Sequence, residues 1–122
     1  MRLNPNPQGE TLTTEEDHVA AIAALNDAFR AEPGSSWMLT MGVRALPEAT
    51  LVEAFEILKA YSDFTEDNDP HGERDFGAFG LHGARLFWKI DYYALDLCLA
   101  SPNPANPAVT RRVLTLMLAE EY

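Results

Sequence analysis

Residues 76–93 read FGAFGLHGARLFWKIDYY, and they fix the fold more firmly than any other stretch. Two apolar runs flank His82-Gly83, a two-residue connection in which Gly83 can take a positive φ, so the segment predicts a β-hairpin. With Leu81 and Ala84 closing the turn, Phe79 pairs with Leu86 and Gly77 with Trp88. Leu86, Trp88, Ile90 and Tyr92 then share one face, the core side, and Arg85, Phe87, Lys89, Asp91 and Tyr93 point the other way. Gly77 leaves room opposite the Trp88 ring. Aromatic Phe87 and Tyr93 on the outer face call for a cover, either residues 94–105 or a partner.

Outward from the hairpin, the N-terminal side is helical. Thr13 and Glu16 have capping-box spacing, Asp17 suits a helix N-terminus, and Val19, Ile22, Ala23 and Phe29 recur at helical spacing with Leu25 beside them. Glu32-Pro33-Gly34 ends that helix. Ser36–Met41 is a short apolar run before Gly42 and predicts a strand. Pro47 opens a second helix, with Leu51, Phe55 and Leu58 in line, expected to reach Ser62 or Asp63. Residues 1–12, rich in Pro and Asn, predict a flexible N-terminal arm, leaving 13–122 as one domain. On the C-terminal side Leu95, Leu97 and Leu99 alternate over a run too short to settle, and Cys98 among them predicts a core thiol. Asn106-Pro107 has the form of a helix start. Val109, Val113, Leu116 and Met117 then form the stripe of a third helix, apolar on a second side through Leu114 and Leu118. The predicted class is α+β: a small antiparallel sheet of three strands, four if residues 94–100 add one, packed by three helices in the order α-β-α-β-β-α.

The chain has 122 residues, 19 acidic and 9 basic, for a net charge of −10. Such acidity weighs against binding nucleic-acid phosphates or an anionic membrane. No apolar run is long enough to span a bilayer, the N-terminus lacks the apolar stretch of a signal peptide, and Cys98 is the single cysteine. The expectation is a cytoplasmic protein. The acid is concentrated: residues 44–75 hold nine acids and three bases, whereas 76–122 hold four of each.

Its densest part, residues 63–75, reads DFTEDNDPHGERD. Aligned with a calcium loop, Asp67, Asp69 and Gly72 fall at positions one, three and six and Asp75 at nine, but His71 takes the fifth and Ala78 the twelfth, where the bidentate Glu belongs. A Ca or Mg site built from Asp67, Asp69, Glu73 and Asp75, serving a metal-assisted enzyme or a cation-binding domain, is therefore the alternative reading. The leading one is a non-enzymatic protein without cofactor that engages a basic protein surface through Glu66, Asp67, Asp69, Glu73 and Asp75, together with Lys89, Asp91 and Tyr93. A third is a structural subunit that dimerises through the apolar last helix. Lys89 beside carboxylates could serve acid–base chemistry, against a polar outer face with charge pairing. His18, His71 and His82 have no metal-ligand spacing, and no nucleophile motif or phosphate loop is present. Arg111-Arg112 stands where a helix start disfavours cations, which points to acidic groups of the loop or a partner, or to a plain surface salt bridge.

Phe87-Trp88-Lys89-Ile90-Asp91-Tyr92-Tyr93, residues 63–70, Val109 to Thr115, Leu25-Asn26-Asp27 and Leu39 to Val43 together resemble the bacterial domain-of-unknown-function 3768 family. The likeness covers most of residues 19–122. It departs at Arg74, often His in the family, and at Asn103-Pro104 and Asn106-Pro107, where Asp-Pro is usual; a metal site leaning on those positions loses support. The resemblance implies a short cytoplasmic protein, often carried on mobile elements, with no catalytic residues to transfer. For the leading reading that suggests a mobile-element accessory or counter-defence factor.

Overall fold

A computed structural model describes residues 14–34 and 36–122. The expected arm at 1–12 and the Thr13 cap lie outside them. In chain order the elements are α1 (Thr14–Ala31), β1 (Trp37–Leu39), α2 (Met41–Arg44), α3 (Glu48–Lys59), β2 (Phe76–Leu81), β3 (Ala84–Tyr93) and β4 (Arg111–Leu118). The class is α+β, with three helices and four strands in the order β1-β4-β3-β2.

The hairpin forms in the expected register, with Gly77 opposite Trp88 and Phe79 opposite Leu86. His82 and Gly83 take φ values of 52° and 83°, the left-handed pair a tight two-residue turn requires. Leu86, Trp88 and Ile90 are buried on the helix-covered face with Leu114 and Leu116 of β4 and Val43, Ala54 and Leu58 of α2 and α3. Tyr61 and Phe64, just after α3, meet the Trp88 ring edge-on at 5.4 and 6.1 Å. Trp37 does the same to Phe55 at 5.8 Å.

Three features differ from the sequence expectation. The C-terminal segment is a strand, not a helix. Asn106 does cap, its Oδ1 accepting from Ala108 N at 2.9 Å, and Pro107 follows, but only one 3-10 turn (Pro107–Val109) forms before β4 begins. Burial then alternates through Arg112, Leu114 and Leu116. Apolar Val113 and Met117, the latter buried, also stand on the outer face, so apolar residues face both ways and imitate the two-sided stripe of a helix. β-Branched Thr110, Val113 and Thr115 favour the extended form. With that helix goes the surface on which dimerisation was to rest. Secondly, the sheet is mixed: β4 runs antiparallel to β3 but parallel to β1. Thirdly, the fourth strand is β4 and not residues 94–100, which form a turn with a single bridge from Ala100 to Tyr93. In addition α3 ends at Lys59 rather than Ser62, and α2 occupies residues just before Pro47.

Candidate functional site

The acidic segment between α3 and β2 is held by its own short polar residues. Asn68 Oδ1 accepts from Thr65 N at 2.7 Å, Asn68 N donates to Thr65 Oγ1, and Asn68 Nδ2 donates to Asp63 O at 2.8 Å. Asp69 N donates to Thr65 O at 2.8 Å, and Asp69 Oδ1 accepts from Arg74 N at 3.1 Å. Such side-chain-closed turns are what Asx and Thr residues do when no helix or sheet claims the backbone. Arg74 then clamps the loop to α1. Its Nη1 reaches Asp27 Oδ2 at 2.9 Å and its guanidinium lies 5.2 Å from the Phe64 ring centre.

This arrangement divides the candidate carboxylates. Asp69 is turned onto its own loop. Glu73 accepts from the Tyr92 hydroxyl at 2.8 Å. Asp75 is half-buried beside Glu73, and burial first, then the Glu73 charge, raises its pKa above the ordinary 3.8. Glu66 and Asp67 are exposed, with no partner among the described residues. Among the described residues no three His, Cys, Asp or Glu side chains gather to hold a metal ion. Asp69 and Glu73 are each committed to another group, and the alternative ligand set of Asp67, Asp69, Glu73 and Asp75 is not drawn to a point.

The raised Asp75 pKa has a sign. A folded state that binds the proton more readily than the unfolded chain loses stability when the carboxyl ionises. That loss is full above the raised value, shrinks as the pH falls towards 3.8 and is absent below it. Asp75→Asn is therefore expected to raise the melting temperature at neutral pH and to lose that advantage in acid, as thermal melts across the pH range will register.

Glu73 belongs to a buried polar network that the sequence did not announce. Asn26, fully buried on α1, donates through Nδ2 to Glu73 O at 2.9 Å and to Tyr92 Oη at 2.8 Å. Its Oδ1 accepts from Arg112 Nε at 2.7 Å. Arg112 Nη2 donates to Pro104 O at 2.7 Å, and its guanidinium stacks 5.2 Å from the Tyr92 ring centre. Burial, followed by the Glu73 hydrogen bond and nearby negative charge, pushes the Tyr92 hydroxyl well above its usual range. Arg112 is thus neither a helix-start residue nor part of a surface salt bridge: it is 8% exposed and has no carboxylate in ion-pair contact among the described residues. One turn along α1, buried Arg30 bonds Asp27 at 3.0 Å and Tyr61 O at 2.9 Å and lies over the Trp88 and Phe64 rings. The only hint in the sequence was polar Asn26 and Arg30 on the same helical stripe as Ile22.

On the outer face of the sheet, Lys89 Nζ pairs with Asp91 Oδ2 at 2.9 Å, and that bond raises the lysine pKa. The charge pairing is along one strand rather than across two. Phe87 is covered not by residues 94–105 but by Phe76 and Tyr122, at ring distances of 5.4 and 5.6 Å. The C-terminal turn is pinned by Glu121, which accepts from Thr40 Oγ1 at 2.6 Å and Gly42 N at 2.9 Å. Tyr93 stands at the bridge to Ala100. His82, at the hairpin tip, meets Glu53 of α3 at 2.7 Å.

Residues 94–100 fold back through Ala94 N to Leu99 O at 2.7 Å and Leu97 N to Ala94 O at 2.8 Å. Leu95, Leu97 and Leu99 are 54%, 49% and 70% exposed. Leu97 takes a φ of 63°, a conformation costly for a residue with neither glycine's freedom nor a short polar side chain. Cys98 is exposed, not a core thiol. The loop leaves the C-terminal end of β3, and the acidic segment enters the N-terminal end of β2. Because these strands are antiparallel, both loops stand at the same end of the sheet, joined by Ile90 N to Asp75 O at 2.8 Å.

No described helix is long and apolar enough to cross a membrane. The family model described as "Protein of unknown function (DUF3768)" matches residues 39–121, from the end of β1 to the C-terminal turn, with α1 outside the match. No curated protein and no solved structure matches.

Proposed function

The chain belongs to the DUF3768 family, and within it we propose that this protein is a non-enzymatic binding module whose loop end engages a protein with a basic, partly apolar surface. One observation carries the reading. A single end of the sheet presents Glu66 and Asp67, held out on an ordered loop without partners among the described residues, and three half-exposed leucines on a strained one. Charged rim and apolar centre are what a specific protein interface needs, and preordered loops lower the entropy cost of association. Asp69, Glu73 and Asp75 act here by shaping the loop and its field. Lys89, Asp91 and Tyr93 line the neighbouring outer face. A role as an accessory or counter-defence factor of a mobile element, in the cytoplasm, fits a partner whose basic surface ordinarily meets nucleic acid.

Affinity capture from a lysate of the native host tests this. The account expects a basic partner whose association rate falls about tenfold in Glu66→Lys/Asp67→Lys at low salt, the variant effect shrinking at high salt. Leu95→Ser/Leu99→Ser should instead speed dissociation. Capture unaffected by either pair removes the reading.

A further inference from the structure

We propose that the cleft between α1 and the start of β4 binds a small organic carboxylate, whose charge is received by the guanidinium group of Arg112. The cleft has a volume of about 400 Å³ and is walled by Leu25, Ala28, Phe29 and Pro107, with Ser36 and Thr110 at its polar edge. That is the size and mixture of an ordinary small-molecule site: mostly apolar, with a few polar groups that converge.

The decisive feature is the state of Arg112. A guanidinium this deeply buried ordinarily sits against a carboxylate, because an uncompensated buried charge is costly. Arg112 does not. Its Nε and Nη2 go to uncharged oxygens, Asn26 Oδ1 and Pro104 O, and Nη1 has no hydrogen-bond partner among the described residues. Glu73 acts on it only from a distance, beyond Asn26 and Tyr92. Burial accordingly lowers the Arg112 pKa. The fork is nonetheless fixed in place by Asn26, Pro104 and the Tyr92 ring, and the adjoining polar edge is ordered, with Thr110 Oγ1 donating to Asn103 O at 2.9 Å. A rigid, charged donor facing a cleft and lacking a counter-ion is built for an oxyanion.

The rest of the molecule narrows the class. A chain of net charge −10 repels polyanions over distance, which favours a single negative charge over a polyphosphate. The apolar wall formed by Leu25 and Phe29 calls for a hydrocarbon body behind the charged group. A short aliphatic or aromatic carboxylic acid meets both demands. The start of β4 lies at the same end of the sheet, but the cleft uses none of Glu66, Asp67, Leu95, Leu97 or Leu99, so it stands apart from the loop-end reading above.

Amide NMR titrations with hexanoate and benzoate test it, with hexanamide, benzamide and inorganic phosphate as comparators. The expected result is saturable shifts at Leu25, Phe29 and Thr110 with the two acids at millimolar concentration and none with the amides. Ala28→Trp, an exposed helix position that fills the cleft, should abolish binding while the variant keeps the wild-type amide pattern elsewhere. Amides binding as well as acids would overturn the charge argument. Phosphate binding as well as the acids would overturn the ligand class. Absence of shifts with the acids, or shifts confined to another part of the molecule, would overturn the site.

Discussion

Asn26→Leu is expected to lower the unfolding free energy by about 3 kcal/mol or more, because it strands several buried groups at once. Leucine nearly matches asparagine in size, so the loss is not chiefly one of packing. The Arg112 Nε–H loses its acceptor at 2.7 Å, and Glu73 O and Tyr92 Oη each lose a donor. The first of these belongs to a charge that has no carboxylate partner, so its desolvation is no longer offset. Urea unfolding should show a lower midpoint with an unchanged slope, the signature of a native-state loss. A cost below about 1 kcal/mol would mean that water replaces asparagine in the network and that the site is wetter than its geometry suggests.

Gly77→Ala should cost about 1–3 kcal/mol, the range for a methyl group forced into a filled core. A Cβ at Gly77 would collide with Trp88 Nε1 and lie 2.7 Å from Tyr61 Cζ. Neither ring can yield easily, since Trp88 is fully buried between Tyr61, Phe64 and Arg30. The displaced indole should also change the near-ultraviolet circular dichroism. Combining Gly77→Ala with Trp88→Leu should return part of the loss, as expected of residues in direct contact. Strict additivity of the two changes would show that the pairing is not the constraint it is taken to be.

The hairpin was legible to the level of register because three signals agreed: the His82-Gly83 turn, the alternating apolar face and the small residue opposite a tryptophan. β4 was not, and the reason is physical. The alternation was hidden because apolar Val113 and Met117 stand on the outer face opposite Leu114, Leu116 and Leu118, and Asn106-Pro107 supplied a true helix cap for a helix that ends after one 3-10 turn. The acidic loop was visible as composition. What composition could not tell was which carboxylates the fold consumes: Asp69 and Glu73 are taken by Arg74 N and Tyr92 Oη, while Glu66 and Asp67 are left outward. The buried network escaped because its members are separated by up to 86 positions and polar residues on a helix read as solvent-facing until tertiary contact is known. Leu95, Leu97 and Leu99 misled in the opposite sense, as apolar residues that the fold leaves outside.

The most direct test of the loop-end interface is amide hydrogen exchange on the chain alone and bound to its captured partner. The account predicts new protection concentrated in residues 61–75 and 94–105, the two connections at one end of the sheet, with the hairpin turn at His82-Gly83 unchanged. Protection centred on the outer sheet face or the hairpin tip, with both loops exchanging as in the free protein, would contradict it.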